Sequence, residues 1–210
     1  MTMLARLPRS LGAAVAAMLV LSLAPAAKAA TEPVQVVEKF HSSLLYVMKN
    51  AKSLGYQGRV RSLGPAIGEA FHLPAMSRIV AGRTNWKTFS KDEKSAFIDA
   101  FSQMTTATYA NRFKGYSGET FRTLESVPVR SKTILVKASL TKSDGEVIDI
   151  NYLLRRFSSG WRVIDVFLKG SISELATRKS EYGTILRKQG IDGLLREIRS
   201  RVASLEANAR

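Results

Sequence analysis

Asp149 and Asp165 each stand inside a run of apolar residues, in VIDINYLL and WRVIDVFLK. A carboxylate among aliphatic side chains loses hydration and its pKa rises, which is one way a general base is made. The commoner fate of such a residue is an ion pair, and Arg155, Arg156 and Arg162 are close enough in sequence to supply one. His41 and His72 lack the H-x-x-x-H spacing of a zinc pair, and the chain has no cysteine to complete a site. His41 is expected on a helix surface and His72 in the turn FHLP. Ser117 stands in GYSGE, which is not the G-x-S-x-G elbow and falls at a helix-to-strand passage rather than the reverse. There is no G-x-x-x-x-G-K-[ST] to hold a nucleotide. These residues therefore give no legible nucleophile, triad, metal site or cofactor site, and an enzyme is not expected. A second chemistry is electrostatic: Arg187, Lys188, Arg196, Arg199 and Arg201 fall mostly on one side of the C-terminal helices. They are candidates for docking anionic lipid or an acidic partner, with a solvated helix face as the plain alternative.

The elements that must position these groups follow from periodicity. Pro33 to Lys52 carries Val36, Val37, Phe40, Leu44, Leu45, Val47 and Met48 near helical spacing. Val60 to Phe71 reads as a short helix with an interrupted start, after Gly55 and Gly58. LPAMSRIVAG reads as a short helix with Pro74 near its first position and Gly82 at its end. Ser90 and Glu93 form a capping box, and the helix it starts puts Phe97, Phe101, Met104, Thr108 and Tyr109 on one face before fading near Gly115. From Glu119 the period becomes two: TFRTLES, KTILVKASLT, VIDINYLLRRF and WRVIDVFLK are strands, joined by tight turns at Ser143-Asp144-Gly145 and Ser158-Ser159-Gly160. Four consecutive strands with short turns predict an antiparallel meander. Ser171-Ile172-Ser173-Glu174 reads as a second capping box. Gly190 is expected to stop the helix that follows, and Asp192 to cap the last one.

Composition bounds the setting. Arg6 and Arg9, the apolar run of 13 residues from Leu11 to Leu23, and the small-residue tail APAAKAA have the order of a secretory signal, with 1–29 removed. That run is shorter than the ~20 residues of a membrane span. The remainder, 30–210, is long enough for a single domain with its own core, helical over about 33–116 and 171–207 and sheet over about 119–169. The net charge is +15, and loss of Arg6, Arg9 and Lys28 leaves about +12. For an exported chain the abundant polyanion is a membrane surface. Aromatic residues are not interleaved with Lys and Arg as a nucleic-acid platform requires, so nucleic acid is not an expected partner.

The succession FHLPAMSRIVAGRTNWKTFSKDEKSAFIDAFSQMTTATYANRF, YSGETF, GWRVIDVFLKGSIS and RKSEYGTILRKQGIDGLL resembles the toluene-tolerance family of bacterial periplasmic lipid-binding proteins, relatives of MlaC. The likeness runs from about Pro33 to Leu205. ATYANRFKGYSGETF and RKSEY resemble the hopanoid-associated HpnM branch more closely. Carriers of the main branch are expected to have Arg-Ser-Gln-Phe where this chain has Lys179-Ser180-Glu181-Tyr182. The resemblance implies an α+β fold: a curved four-stranded antiparallel sheet, similar to nuclear-transport-factor-2-like domains, with helices on its concave face and a helical subdomain. It also implies a soluble periplasmic carrier of a lipid, phospholipid or hopanoid. Its implied partners are the substrate-binding ring of an inner-membrane ABC transporter and an outer-membrane lipoprotein complex.

A lipid carrier needs a long apolar cavity with little polar specificity inside, and aliphatic and Met side chains suit it. Ile150, Tyr152 and Leu154, with Ile148 and Val136 beside them and Met76, Phe97, Phe101 and Met104 opposite, are the candidate wall. Ordinary core is the competing reading of each, and Trp161 is expected to be a packing anchor. Two other function classes remain open. One is an isomerase-type enzyme on the same fold, with Asp165 and Tyr152 as its pair; the other is an adaptor that binds only proteins.

Overall fold

Residues 32–209 are described by the computed structural model, and the expected leader and its cleavage box lie outside the described residues. The order is α1 (Glu32–Lys49), α2 (Ala51–Ala70), α3 (Leu73–Ala81), α4 (Arg83–Thr88), α5 (Lys91–Arg112), β1 (Thr120–Arg130), β2 (Thr133–Thr141), β3 (Val147–Phe157), β4 (Gly160–Leu168), β5 (Ile172–Ser173) and α6 (Glu174–Ala207). No helix among the described residues is long and apolar enough to cross a membrane.

The capping box at the head of α5 forms as read. Ser90 Oγ accepts from the Glu93 amide at 3.1 Å, and the Ser90 amide donates to Glu93 Oε2 at 2.6 Å. Two donors that would otherwise be orphaned at the helix start are thereby satisfied. His72 satisfies one such donor at the start of α3, its Nδ1 accepting from the Ala75 amide at 3.1 Å. The short α4 has no counterpart in the sequence reading, because RTNWKT buries no residue and carries no apolar period.

α2 and α6 are each broken by a glycine. Gly55 sits at φ 57°, ψ −176° and Gly190 at φ 66°, ψ −169°, a backbone region that essentially only glycine enters. The break at Gly190 is a reversal. Twenty residues of continuous helix would span about 30 Å, yet Arg201 and Glu181 are in contact at 3.4 Å. The segments 174–189 and 191–207 therefore lie back to back. At Gly55 the chain also turns back, so that Lys39 of α1 pairs with Glu69 of α2 at 2.5 Å.

The sheet is antiparallel throughout, in the order β1-β2-β3-β4-β5. It has five strands rather than the four expected. Lys169 (φ 49°) and Gly170 (φ 77°) turn the chain back on β4, and Ile172 and Ser173 pair with Leu168 and Phe167. This corrects the second capping box: Ser173, not Ser171, is the cap, its Oγ accepting from the Ala176 amide at 2.8 Å.

Ile134, Val136 and Leu140 stand opposite Leu154, Tyr152 and Ile148, so the even positions of β2 and β3 share one face, as their period predicts. Between β3 and β4 the register slips. Leu153 faces Asp165 and Leu154 faces Val163, leaving Ile164 as an extra residue on β4. This bulge puts Trp161 and Val163 before it, and Val166 after it, on the face of Leu154 and Tyr152. Asp165 is carried to the opposite face with Leu153. α1 lies across β1, β2 and β4 on the apolar face, and one core joins Val37, Phe40 and Leu44 to Val136, Tyr152, Leu154 and Val163. Phe71 forms a lone parallel bridge with Val163, and the His72 amide donates to the Val163 carbonyl at 2.9 Å, stitching helices to sheet.

Candidate functional site

Asp165 is the first catalytic candidate to place, and the fold uses it as a clamp. Its Oδ1 accepts from the amides of Val166 (2.8 Å) and Leu175 (3.1 Å), and its Oδ2 from Ser173 Oγ (2.6 Å). These bonds tie β4 to β5 and to the first turn of α6. Burial pushes the carboxyl pKa up, and the three hydrogen bonds oppose that rise. The expected arginine partner is thus replaced by backbone and serine donors. The pairing of Asp165 with Tyr152 also fails, because the bulge sends the two to opposite faces. Asp149 is exposed.

His41 is not on the helix surface. It is 4 % exposed, lies over the Phe121 ring with centroids 4.4 Å apart, and shares a 3.0 Å hydrogen bond between Nε2 and Tyr152 Oη. Its place follows from the turn of α1 that also buries Phe40 and Leu44. Burial lowers its pKa to about 4, so the imidazole is neutral near pH 7. Among the described residues no group of His, Asp or Glu is arranged to hold a metal ion.

The apolar candidates separate into two sets. Met76, Phe101 and Met104 line a cavity of about 50 Å³ between α3, α5, the start of α6 and β4, together with Phe71, Val166, Leu175 and Tyr182. Phe97 lies one turn away, fully buried against Phe101 and Tyr182. Val136, Ile150, Tyr152 and Leu154 are buried and Ile148 half-buried on the sheet, in the same core but away from the lining of this cavity. Trp161 packs into that core at the start of β4.

Polar groups gather at the cavity edge: Thr105, Thr108, Arg112, Glu174 and Arg178. Arg112 and Glu174 pair across it at 3.6 Å, from α5 to α6. Past Arg178 an open groove of about 310 Å³ continues from the cavity, sharing Met104 and Thr108 and adding Arg201, Ser204, Leu205 and Asn208. Arg178 and Arg201 both pair with Glu181, at 3.5 and 3.4 Å, and Arg201 also bonds Glu197 at 2.7 Å. Tyr182 is fully buried beside these arginines, and its hydroxyl has no hydrogen bond of ordinary geometry. Burial raises the Tyr182 and Tyr109 hydroxyl pKa values, so both are neutral. Among the five basic candidates, Arg187, Lys188, Arg196 and Arg199 are exposed, whereas Arg201 turns in toward the groove.

Sequence reasoning missed Arg112 and Arg178 as neighbours of the apolar face. Their signal was position: Arg112 closes the helix whose apolar face carries Phe101 and Met104, and Arg178 is one turn before Tyr182. The approach of Arg201 depends on the reversal at Gly190.

Comparison with known proteins bears on the family and the fold. Residues 38–200 match the family described as MlaC protein. A solved structure of a phospholipid-binding protein from Ralstonia solanacearum, in complex with a phospholipid, superposes with a TM-score of 0.74. The superposition covers 83 % of this chain and 99 % of that one at 18 % sequence identity, and shows a shared fold.

Proposed function

Since the chain belongs to the MlaC protein family, we propose that it is a lipid carrier which shelters the apolar part of its cargo between helices and sheet. The observation that carries this reading is the cavity itself, apolar inside and polar only at its edge. At ~0.8 kcal/mol per methylene, a chain of about 16 carbons exposes roughly 12 kcal/mol of unfavourable contact with water. A carrier must hide nearly all of it. The cavity of about 50 Å³ is smaller than the roughly 300 to 1,000 Å³ of an ordinary ligand pocket. Loading therefore requires α3, α5 and α6 to part, and the flexible Met76 and Met104 suit a lining that must change shape. As they part, Phe97 and the sheet residues Val136, Ile148, Ile150, Tyr152 and Leu154 become the deeper wall.

In this reading the protein works in the periplasm and moves lipid between an inner-membrane ABC transporter's substrate-binding ring and an outer-membrane lipoprotein complex. Arg187, Lys188, Arg196 and Arg199 on the exposed side of α6 are the docking charges. Their binding to anionic vesicles should weaken as salt rises, since exposed charges are screened over ~8 Å at physiological ionic strength. The stretches ATYANRFKGYSGETF and RKSEY favour the hopanoid-associated branch, with a phospholipid as the alternative cargo. The test of the carrier reading is an organic extract of the purified protein. Stoichiometric lipid supports it, and an extract without lipid from protein that also takes none from vesicles refutes it.

A further inference from the structure

The face of the sheet turned away from the helices carries two adjacent rows of side chains. One row is cationic: Arg130 of β1 stands opposite Thr133 of β2, Thr133 opposite Arg155 of β3, and Arg155 opposite Arg162 of β4. The next row is aliphatic, with Val127 opposite Leu135 and Leu135 opposite Leu153. From this juxtaposition we infer that the outer face of the sheet is a docking surface for an acidic protein segment. Its carboxylates meet the arginine row while its aliphatic side chains cover Val127, Leu135 and Leu153. Such docking is independent of the carrier reading, because the cavity lies on the other side of the sheet with Val166.

Both rows lack a counterpart among the described residues. No carboxylate there lies within ion-pair distance of Arg130, Arg155 or Arg162, and the Arg162 guanidinium turns back to donate to the Trp161 carbonyl at 2.9 Å. Side chains directly opposite each other in neighbouring strands are close, and a like-charged pair such as Arg155 and Arg162 destabilises a sheet. Lys132, in the turn after Arg130, adds a further cation at φ 58°, a conformation that glycine or asparagine holds at less cost. The aliphatic row is half-buried and belongs neither to the main core nor to the residues packed on it. α1, the helix packed on β1 and β2, lies on the opposite face. Val129, thrown out of register by the bulge beside Arg130, is 56 % exposed and extends the apolar surface to the sheet edge. The sheet thus holds unopposed charge and uncovered apolar surface side by side.

These rows select among occupants. Guanidinium takes carboxylate through paired, charge-assisted bonds. Strands ~4.8 Å apart set Arg130 and Arg155 roughly 10 Å from each other, a span that one segment with two acidic side chains bridges. A bilayer separates its anionic heads from its chains in depth, whereas these rows lie at one level. A second copy would set arginines against arginines. Of the carboxylates on its own face, Glu125 is held by Lys137 at 2.6 Å, Asp165 is engaged by backbone and serine donors, and Asp149 lies well along β3 from Arg155.

The experiment selects a random short-peptide library on the purified protein at physiological salt and measures the recovered peptides by fluorescence anisotropy. They should be acidic and aliphatic. Arg130→Gln/Arg155→Gln should weaken them about tenfold or more, the factor that one charge-assisted hydrogen bond supplies. Leu153→Ser should weaken them several-fold, and Arg130→Lys/Arg155→Lys, which keeps the charge, should retain part of the binding. Lys52→Gln/Arg61→Gln removes the same charge from exposed positions of α2 and should leave binding unchanged. Arg155→Thr relieves the pair with Arg162 and should move the urea midpoint upward, so weaker peptide binding in that variant cannot come from loss of the fold. Recovery of no peptide, of peptides without acidic residues, or of acidic peptides that bind Arg130→Gln/Arg155→Gln as well as wild type overturns the assignment. Two further results also overturn it. If no acidic peptide is recovered and that variant loses binding to phosphatidylcholine vesicles containing phosphatidylglycerol, the face is a membrane contact. If sedimentation shows a concentration-dependent dimer that the same variant abolishes, the occupant is a second copy.

Discussion

The hydrogen bond between His41 and Tyr152 joins α1 to β3 through an otherwise aliphatic and aromatic layer. With the folded pKa of His41 held near 4 and the unfolded value near 6.5, the unfolded chain binds a proton in that window that the folded protein refuses. Stability is thus unaffected above about pH 6.5 and falls as pH drops toward 4, by up to roughly 3 kcal/mol. Urea melts at pH 7, 5.5 and 4.5 should show that slope, and His41→Gln should flatten it. Asp165→Ala strands the Leu175 and Val166 amides and should cost about 1 to 3 kcal/mol in the same melts. Asp165→Asn keeps one acceptor oxygen and should leave lipid transfer within a few-fold of wild type, whereas a hundredfold loss in a folded protein, about 2.7 kcal/mol, would reveal chemistry at that carboxylate. Neither residue's setting was legible beforehand. His41 looks polar at a position where the helix turns inward, and Asp165 changes face only because Ile164 is inserted. A bulge leaves no mark on an alternating apolar string.

Both reversals of the helical layer are built on the same short pattern, LGYQG at residues 54–58 and QGIDG at 189–193. In each, the first glycine takes the positive φ. The second leaves space for the residue just before the first: a Cβ on Gly58 would lie 2.9 Å from Leu54 Cβ, and one on Gly193 only 2.2 Å from Gln189 Cβ. Gly190→Ala meets no neighbour but must hold a strained backbone, at a cost of about 1 to 3 kcal/mol. Gly193→Ala would set its Cβ against Gln189 Cβ, which no rotamer change can move, so the backbone of the turn must shift and the loss should be at least as large. Denaturant melts check both, and a neutral Gly193→Ala would mean the turn is looser than drawn. Elements with a strong period or a cap, such as β2, β3, α3 and α5, could be read from residues alone. The two-residue β5 and the six-residue α4 are too short to show a period. Of the apolar residues read as a candidate wall, Met76, Phe101 and Met104 line the cavity. The polar edge of that cavity was not legible, because Arg178 and Arg201 become neighbours only after Gly190 folds the chain back.

For the whole molecule, binding of lipid to the folded form should raise stability by RT ln(1 + [L]/Kd), about 4 kcal/mol when free lipid exceeds Kd a thousandfold. Melts of loaded and stripped protein measure it. Ile150→Ala, run in both forms, separates wall from core. A penalty that is smaller in the stripped form than the ~2 to 5 kcal/mol of an ordinary core truncation, with weaker lipid retention, assigns Ile150 to the wall. An equal, large penalty in both assigns it to core. The bridge between Phe71 and Val163 has a separate bearing, on how the chain finds its fold. The meander closes strand by strand, and the two helical reversals close within their own segments, so most of the architecture assembles from neighbours in sequence. Such local closures are fast. Phe71 and Val163 come from opposite halves of the chain, and their meeting carries the larger loop-closure entropy. The slow event in folding should then be the docking of helices onto the sheet, with the His72 amide and the Val163 carbonyl at its seam and α6 returning onto α3 and α5, and Phe71→Ala should slow refolding in denaturant-dilution jumps if that docking limits the rate.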